Sequence, residues 1–277
     1  MNRSTSLGNE TTAMVLCGGQ GTRMQPITFL MRKEMLPIGP NRRPILEYVI
    51  QHLRSYGIRN IVFLGSRGEG GDVANYFGDG LRFGVRFVYQ PDHEQCRGTG
   101  HALLWALSEL RLTSPRILIY YGDILNNVDL GAFLREHNAK AAAATIAVSQ
   151  KYQLPAGVAH IADNGDISKF EEKPNWPGPS KIGIGLLCID PNRVQAVCQP
   201  TPHTGEELME SRFRDIMGDI LPELIKRDRV TAYETPASWL DIGSFENYGK
   251  VRDNISWITT QADEVPATER GLTGARS

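Results

Sequence analysis

Thr12-Ala13-Met14-Val15-Leu16, running straight into Cys17-Gly18-Gly19-Gln20-Gly21-Thr22-Arg23, is the stretch that decides the fold. A short, largely apolar run that stops at glycines has the pattern of a strand buried on both faces of a parallel sheet. Glycines placed directly after such a strand let backbone N–H groups approach phosphate oxygens closely. A dinucleotide fingerprint, G-x-G-x-x-G, would need glycine where Met24 stands, and no acidic ribose partner is evident. A phosphate-binding P-loop would need Gly-Lys-Ser/Thr, and this loop offers Gly-Thr-Arg. A bare glycine turn remains open on the loop alone.

Outward from the loop, strand and helix patterns alternate. Pro44 to Tyr56 repeats apolar residues at helical spacing, with Pro44 suited to the first turn and Gly57 to the C-terminal cap. Asn60 to Leu64, Val85 to Tyr89 and Arg116 to Tyr121 read as strands, and Gly71 to Phe77 and His101 to Leu110 as helices. The alternation predicts an α/β fold: a Rossmann-like, three-layer α/β/α arrangement around a mostly parallel mixed sheet. Ligands of such sheets bind at the carboxyl ends of the strands, where the loops after Leu16 and Tyr121 both lie. The second half is more mixed. Ala142 to Val148, Val158 to Ala162, Ile167 to Phe170, Ile184 to Ile189 and Val230 to Tyr233 read as strands, and Ile216 to Arg227 as a helix. Asn164-Gly165 is a hairpin signal. These patterns predict a single domain over 1–258 and a polar tail over 259–277.

Lys plus Arg number 30 against 31 for Asp plus Glu, so the chain carries no general field to draw it to nucleic acid or an anionic membrane. Any phosphate it binds is held by a few placed cations. No apolar stretch is long enough to span a bilayer, and the polar N-terminus lacks the h-region of a secretory signal. Cys17, Cys96, Cys188 and Cys198 are scattered without metal-ligand spacing, which predicts reduced thiols and a cytoplasmic setting.

Two cations, Arg23 and Lys33, follow the glycine loop within ten residues, in Arg23-Met-Gln-Pro-Ile-Thr28 and Arg32-Lys33-Glu-Met-Leu-Pro37. The whole run resembles the signature of the sugar nucleotidyltransferases, also called nucleotide-sugar pyrophosphorylases, in the form G-G-x-G-T-R-x-x-P-x-T followed by a Pro-Lys stretch. Lys-Glu-Met-Leu-Pro-Ile is similar to the run in uridylyl- and thymidylyltransferases. One position departs: Arg32 stands where the family usually has Pro or Ser, which bears on the local backbone and not on the charge at Lys33. Further elements follow in family order: Gly98-Thr99-Gly-His-Ala102 after Gln90, Tyr121-Gly122-Asp123, Phe170-Glu171-Glu172-Lys173-Pro174, Ile182-Gly-Ile-Gly185, and Ser238-Trp-Leu-Asp241-Ile-Gly243. Each alone is a turn, a cap, a charged loop or a strand exit; their joint order sets coincidence aside.

The resemblance implies transfer of a nucleotidyl group from a nucleoside triphosphate, UTP or dTTP favoured, onto a sugar 1-phosphate, with release of pyrophosphate. It implies Arg23 and Lys33 on the triphosphate, with Leu16, Gly18, Gly19, Gly21 and Thr22 shaping the nucleotide loop. Gln90 would reach the base edge, with Gly98 and Thr99 packed against the base. Lys173 would hold the sugar phosphate, Gly157, Glu172 and Gly185 the sugar, and Asp123 and Asp241 a Mg²⁺ ion. Hard carboxylate and phosphate oxygens suit magnesium better than zinc. A homo-oligomer, dimer or tetramer, is compatible with the resemblance. Guanylyl or cytidylyl transfer stays open, as does an idle nucleotide-sugar-binding regulatory relative, although that would be expected to lose Arg23, Lys33, Asp123 or Asp241. A glycosyltransferase would call for an Asp-x-Asp motif, which Gly122-Asp123-Ile-Leu125 does not supply.

Overall fold

The computed structural model describes residues 7–65, 71–150, 157–171, 181–198 and 205–258. In chain order the strands of the first half are β1 (Thr11–Leu16), β2 (Pro37–Ile38), β3 (Arg43–Pro44), β4 (Asn60–Leu64), β5 (Arg86–Gln90), β6 (Arg116–Tyr121) and β7 (Ile124–Asn126). The second half supplies β8 (Ala144–Ser149), β9 (Val158–Ile161), β10 (Ile167–Glu171), β11 (Lys181–Ile189), β12 (Val230–Glu234) and β13 (Trp239–Asp241). The main sheet runs β5-β4-β1-β6-β11-β8-β12, and the β9–β10 hairpin joins it at the first residues of β11. Only β10 and β11 run against the other strands of this sheet, which makes it the mostly parallel mixed sheet that the alternating pattern predicts.

β1 lies between β4 and β6 with every residue buried. Its even-numbered Met14 and Leu16 pack into one core and its odd-numbered Ala13 and Val15 into another, as the two-residue period of a strand requires. Helices Thr99–Glu109, Pro191–Cys198 and Leu221–Arg227 contribute to the first core, and helices Ile45–Ser55, Asp72–Phe77 and Leu130–Lys140 to the second. A third, smaller cluster includes Met24, Leu36, Ile38, Leu125, Leu240, Ile242 and Val251. It brings together the short β2–β3 and β7–β13 ribbons and the helix Phe245–Arg252.

The predicted strands Asn60 to Leu64 and Arg116 to Tyr121 hold residue for residue. Helix Ile45–Ser55 ends as predicted at Gly57, whose φ of 81° turns the chain so that the Ile58 N–H reaches Leu53 O at 3.1 Å. Asn164-Gly165 turns between β9 and β10, with the Gly165 N–H donating to Ala162 O at 2.9 Å. The predicted helix Ile216 to Arg227 divides into a π-turn, Ile216–Ile220, and a regular helix, Leu221–Arg227. Asp215 caps the π-turn by accepting from Gly218 N at 2.7 Å. No helix among the described residues is long and apolar enough to cross a membrane.

Candidate active site

A cavity of about 620 Å³ opens at the carboxyl ends of β1, β4 and β6. Leu16 and Leu64 form part of its floor beside the glycine loop; Gly98, Thr99 and Met217 line the far end, and Gly157, Phe170 and Gly185 the side towards β11. At the loop end a 3₁₀ turn, Lys33–Met35, is anchored by the buried Met35 and by Leu36, so that Lys33 turns inward. Its ammonium donates to Asp123 Oδ2, and a methyl placed on Gly19 would lie 3.5 Å from Lys33 Nζ. A second 3₁₀ turn, Thr22–Met24, is pinned by the fully buried Met24 and leaves Arg23 at the cavity wall.

Asp241 reaches the same spot from far along the chain because β13 pairs with β7. Asp241 sits level with Ile124, and the next residue, Ile242, donates its N–H to Asp123 O at 2.9 Å. Gly243 closes the corner: a methyl there would come within 2.8 Å of Arg23 Nη2 and 2.9 Å of Asp241 Oδ1. Two cations from the loop and two carboxylates from distant strand ends thus meet in one pocket.

Burial pulls the Lys33 ammonium down, but Asp123, Glu34 and Asp241 together outweigh it and its pKa moves up, keeping the side chain charged. Glu34 also lines the cavity and is almost wholly buried, with no hydrogen-bond partner at Oε2 among the described residues. Desolvation pushes its carboxyl up to about 8 despite the neighbouring Lys33, so near neutrality it is mostly protonated.

Residues 12–256 match the family model described as nucleotidyl transferase. The chain belongs to that family. It is 30% identical, over 93% of its length, to a protein of Synechocystis sp. named UTP–glucose-1-phosphate uridylyltransferase, and covers 66% of that relative. It is 27% identical, over 86% of its length, to a glucose-1-phosphate adenylyltransferase of Mycoplasma mobile, covering 65% of it. The chain therefore spans about two thirds of the length of these curated relatives. A solved structure from Bacillus anthracis, described as a candidate glucose-1-phosphate thymidylyltransferase in complex with sucrose, superposes with a TM-score of 0.73 at 26% identity. That match covers 87% of this chain and 93% of the other.

Against this family frame, Leu16, Gly18, Gly19, Arg23, Lys33, Gly98, Thr99, Asp123, Gly157, Gly185 and Asp241 all line the one cavity. Gly21 and Thr22 do not; they shape the turn behind it, with Gly21 O accepting from Thr28 Oγ1 at 2.9 Å. Glu172 and Lys173 lie outside the described residues.

Gly98 lines the cavity, and the side of Gly98 and Gly100 where a side chain would stand is packed against the protein. Methyls on them would come within 2.4 Å of Arg214 O and Phe213 O, and Gly100 N donates to Arg214 O at 2.8 Å. These glycines let helix Thr99–Glu109 dock against the segment that leads into the π-turn. Gln90 ends β5 but is not part of the cavity lining, and its amide donates to Pro91 O at 3.3 Å. Asp92, Cys96 and Arg97, from the loop beyond it, line the wall instead.

Asp92, Arg97, Glu34 and Met217 are cavity residues that the sequence reading did not single out. A signal existed only for Glu34, an acid inside a run whose next residues, Met35 and Leu36, are apolar core.

Asp123 and Asp241 present hard oxygen donors, and Lys33 already places a cation on one of them, so the local chemistry suits Mg²⁺. Among the described residues no group of three or more His, Cys, Asp or Glu could hold a metal alone.

Proposed function

We propose that the chain makes a nucleoside diphosphate sugar and pyrophosphate from a nucleoside triphosphate and a sugar 1-phosphate. The observation that carries this reading is the convergence of Arg23, Lys33, Asp123 and Asp241 at the carboxyl ends of β1, β6 and β13. The sugar phosphate oxygen is already anionic, so attack on the α-phosphorus needs no general base. The obstacle is the approach of two polyanions, which placed cations lower by alignment and charge neutralisation.

Arg23 and Lys33 take the triphosphate, with the amides of Gly18 and Gly19 beside them. Lys33 passes from Asp123 to a phosphate oxygen when substrate enters, and Asp123 and Asp241 hold Mg²⁺. When bound, that ion neutralises charge on the phosphates. Gly157 and Gly185 line the side of the cavity that takes the sugar, Glu172 contacts its hydroxyls, and Lys173 holds its phosphate in line. UTP or dTTP is the favoured triphosphate, supported by the uridylyltransferase relative and the thymidylyltransferase structure. The four cysteines are free thiols, in keeping with a reducing cytoplasm.

The test is pyrophosphate release measured across UTP, dTTP, ATP, GTP and CTP against a panel of sugar 1-phosphates. Release is expected only when both substrates and Mg²⁺ are present, fastest with UTP or dTTP. Release from the triphosphate alone at the same rate would remove the sugar phosphate from the reaction.

A further inference from the structure

Arg32, where the sequence departs from the family signature, occupies a specific place in the structure. The last ladder bond between β1 and β4 runs from Cys17 N to Leu64 O at 2.9 Å. Beyond it the backbones press together: a methyl on Gly65, at φ +80°, would fall 2.5 Å from Gly18 Cα. Arg32 reaches these strand ends, its Nη1 donating to Cys17 O at 2.6 Å and to Gly65 O at 3.1 Å. The guanidinium is held in turn by Asp72, whose Oδ1 lies 3.4 Å from Arg32 Nε. Oδ2 of the same carboxylate accepts the Arg32 backbone N–H at 3.2 Å. The Arg32 backbone, φ −63° and ψ 145°, has the extended shape that a proline also takes. The departure leaves the local backbone intact and adds a side chain with a job.

We propose that Arg32 is a positioning residue for the nucleotide, tying the ends of β1 and β4 together and masking their final carbonyl oxygens from the triphosphate. The inference rests on the proposed reaction for its substrate. Arg32 does not line the cavity, so it acts through the loop. Carbonyl oxygens left bare at the carboxyl ends of parallel strands would turn their negative dipole ends towards a polyanion. One planar guanidinium can cover two carbonyls and still meet Asp72; a lysine ammonium on a flexible stem cannot hold all three at once. Fixing Cys17 and Gly65 also fixes Gly18, which packs on Gly65, and with it the neighbouring Gly19, where a methyl would lie 3.5 Å from Lys33 Nζ.

The experiment compares Arg32→Met, Arg32→Lys and Asp72→Asn in steady-state kinetics and in equilibrium titration with the triphosphate. Arg32→Met should raise KM and Kd for the triphosphate about tenfold and leave KM for the sugar phosphate within about twofold. Arg32→Lys and Asp72→Asn should each raise them about threefold. Equal rises for both substrates, or a fall in kcat with triphosphate affinity unchanged, would overturn the proposal. If Arg32→Met does not fold, Asp72→Asn decides, and an unchanged Kd sinks the idea. Amide hydrogen exchange reads the tie independently of any substrate: Arg32→Met, or Asp72→Asn in its place, should speed exchange at the Cys17 N–H several-fold. Unchanged exchange refutes the tie. Wild-type protein that binds no triphosphate while the exchange result holds refutes the proposed reaction and the nucleotide role of Arg32, not the tie itself.

Discussion

At the loop end of the cavity the charged residues hold one another: Lys33 on Asp123, Asp123 O on Ile242, Gly243 against both Arg23 and Asp241. At the far end the wall is borrowed. Thr99 donates to Asp215 Oδ2 at 2.9 Å, 116 residues away, and Gly98 and Gly100 rest on the backbone of residues 213–214. The first end is a fixed electrostatic device, suited to phosphates that every nucleoside triphosphate shares. The second is an assembly of a loop, a helix start and a π-turn, able to vary without disturbing the first. On the proposed reaction, the difference assigns phosphate handling and base choice to separate ends of the cavity.

The largest expected effect is at the loop end. Asp241→Asn should reduce kcat by about a hundredfold or more with the fold intact, because one charge beside the phosphates is lost at constant volume. Activity equal to wild type at saturating magnesium would remove Asp241 from the site. Next comes the backbone contact beneath the loop. Gly65→Ala should cost about 2–4 kcal/mol in urea unfolding, since a methyl meets Gly18 Cα and φ is positive. A loss under about 0.5 kcal/mol would mean the strand ends have room to separate.

How much of each end was legible in the sequence follows from distance along the chain. The strand, the glycines, Arg23 and Lys33 fall within a few turns of one another, and Asp123 and Asp241 sit in short motifs at strand exits. Each motif alone reads as a turn or a strand exit, and it is their joint order along the chain that singles them out. Gln90 was placed by its spacing to Gly98 across the loop 91–97, and that loop, not Gln90, supplies the wall. The partners of Gly98 and Gly100 are tertiary, so no local pattern could name them. Helix Leu130–Lys140 was passed over although Leu130, Phe133, Leu134 and His137 mark a buried face. Gly131 and Asn138 are poor helix formers, and packing against the sheet together with the Asp129 cap overrides them.

At the far end, Asp92→Asn should change the ratio of kcat/KM between the best triphosphate and its competitors by about tenfold, while Gln90→Ala shifts it less than about twofold. The opposite ranking would assign base reading to Gln90 and not to Asp92.

An effect of a different kind is one of pH. From about pH 4.5 to 8 the unfolded chain releases the Glu34 proton and the folded chain keeps it, so the folded state loses stability as pH rises through that window. Glu34→Gln removes this slope. Its Tm should match that of wild type near pH 5 and exceed it by about 3–6 °C near pH 8. An equal Tm difference at both pH values would mean that the carboxyl is not held in its protonated form.

The most direct measurement follows the label. With triphosphate labelled at the α-phosphorus, a sugar 1-phosphate and Mg²⁺, the label should appear in the nucleotide sugar. With label at the γ-phosphorus it should leave entirely as pyrophosphate, and both signals should collapse in Asp241→Asn. γ-Label found on the sugar, or released as inorganic phosphate, would contradict attack at the α-phosphorus and with it the proposed nucleotidyl transfer.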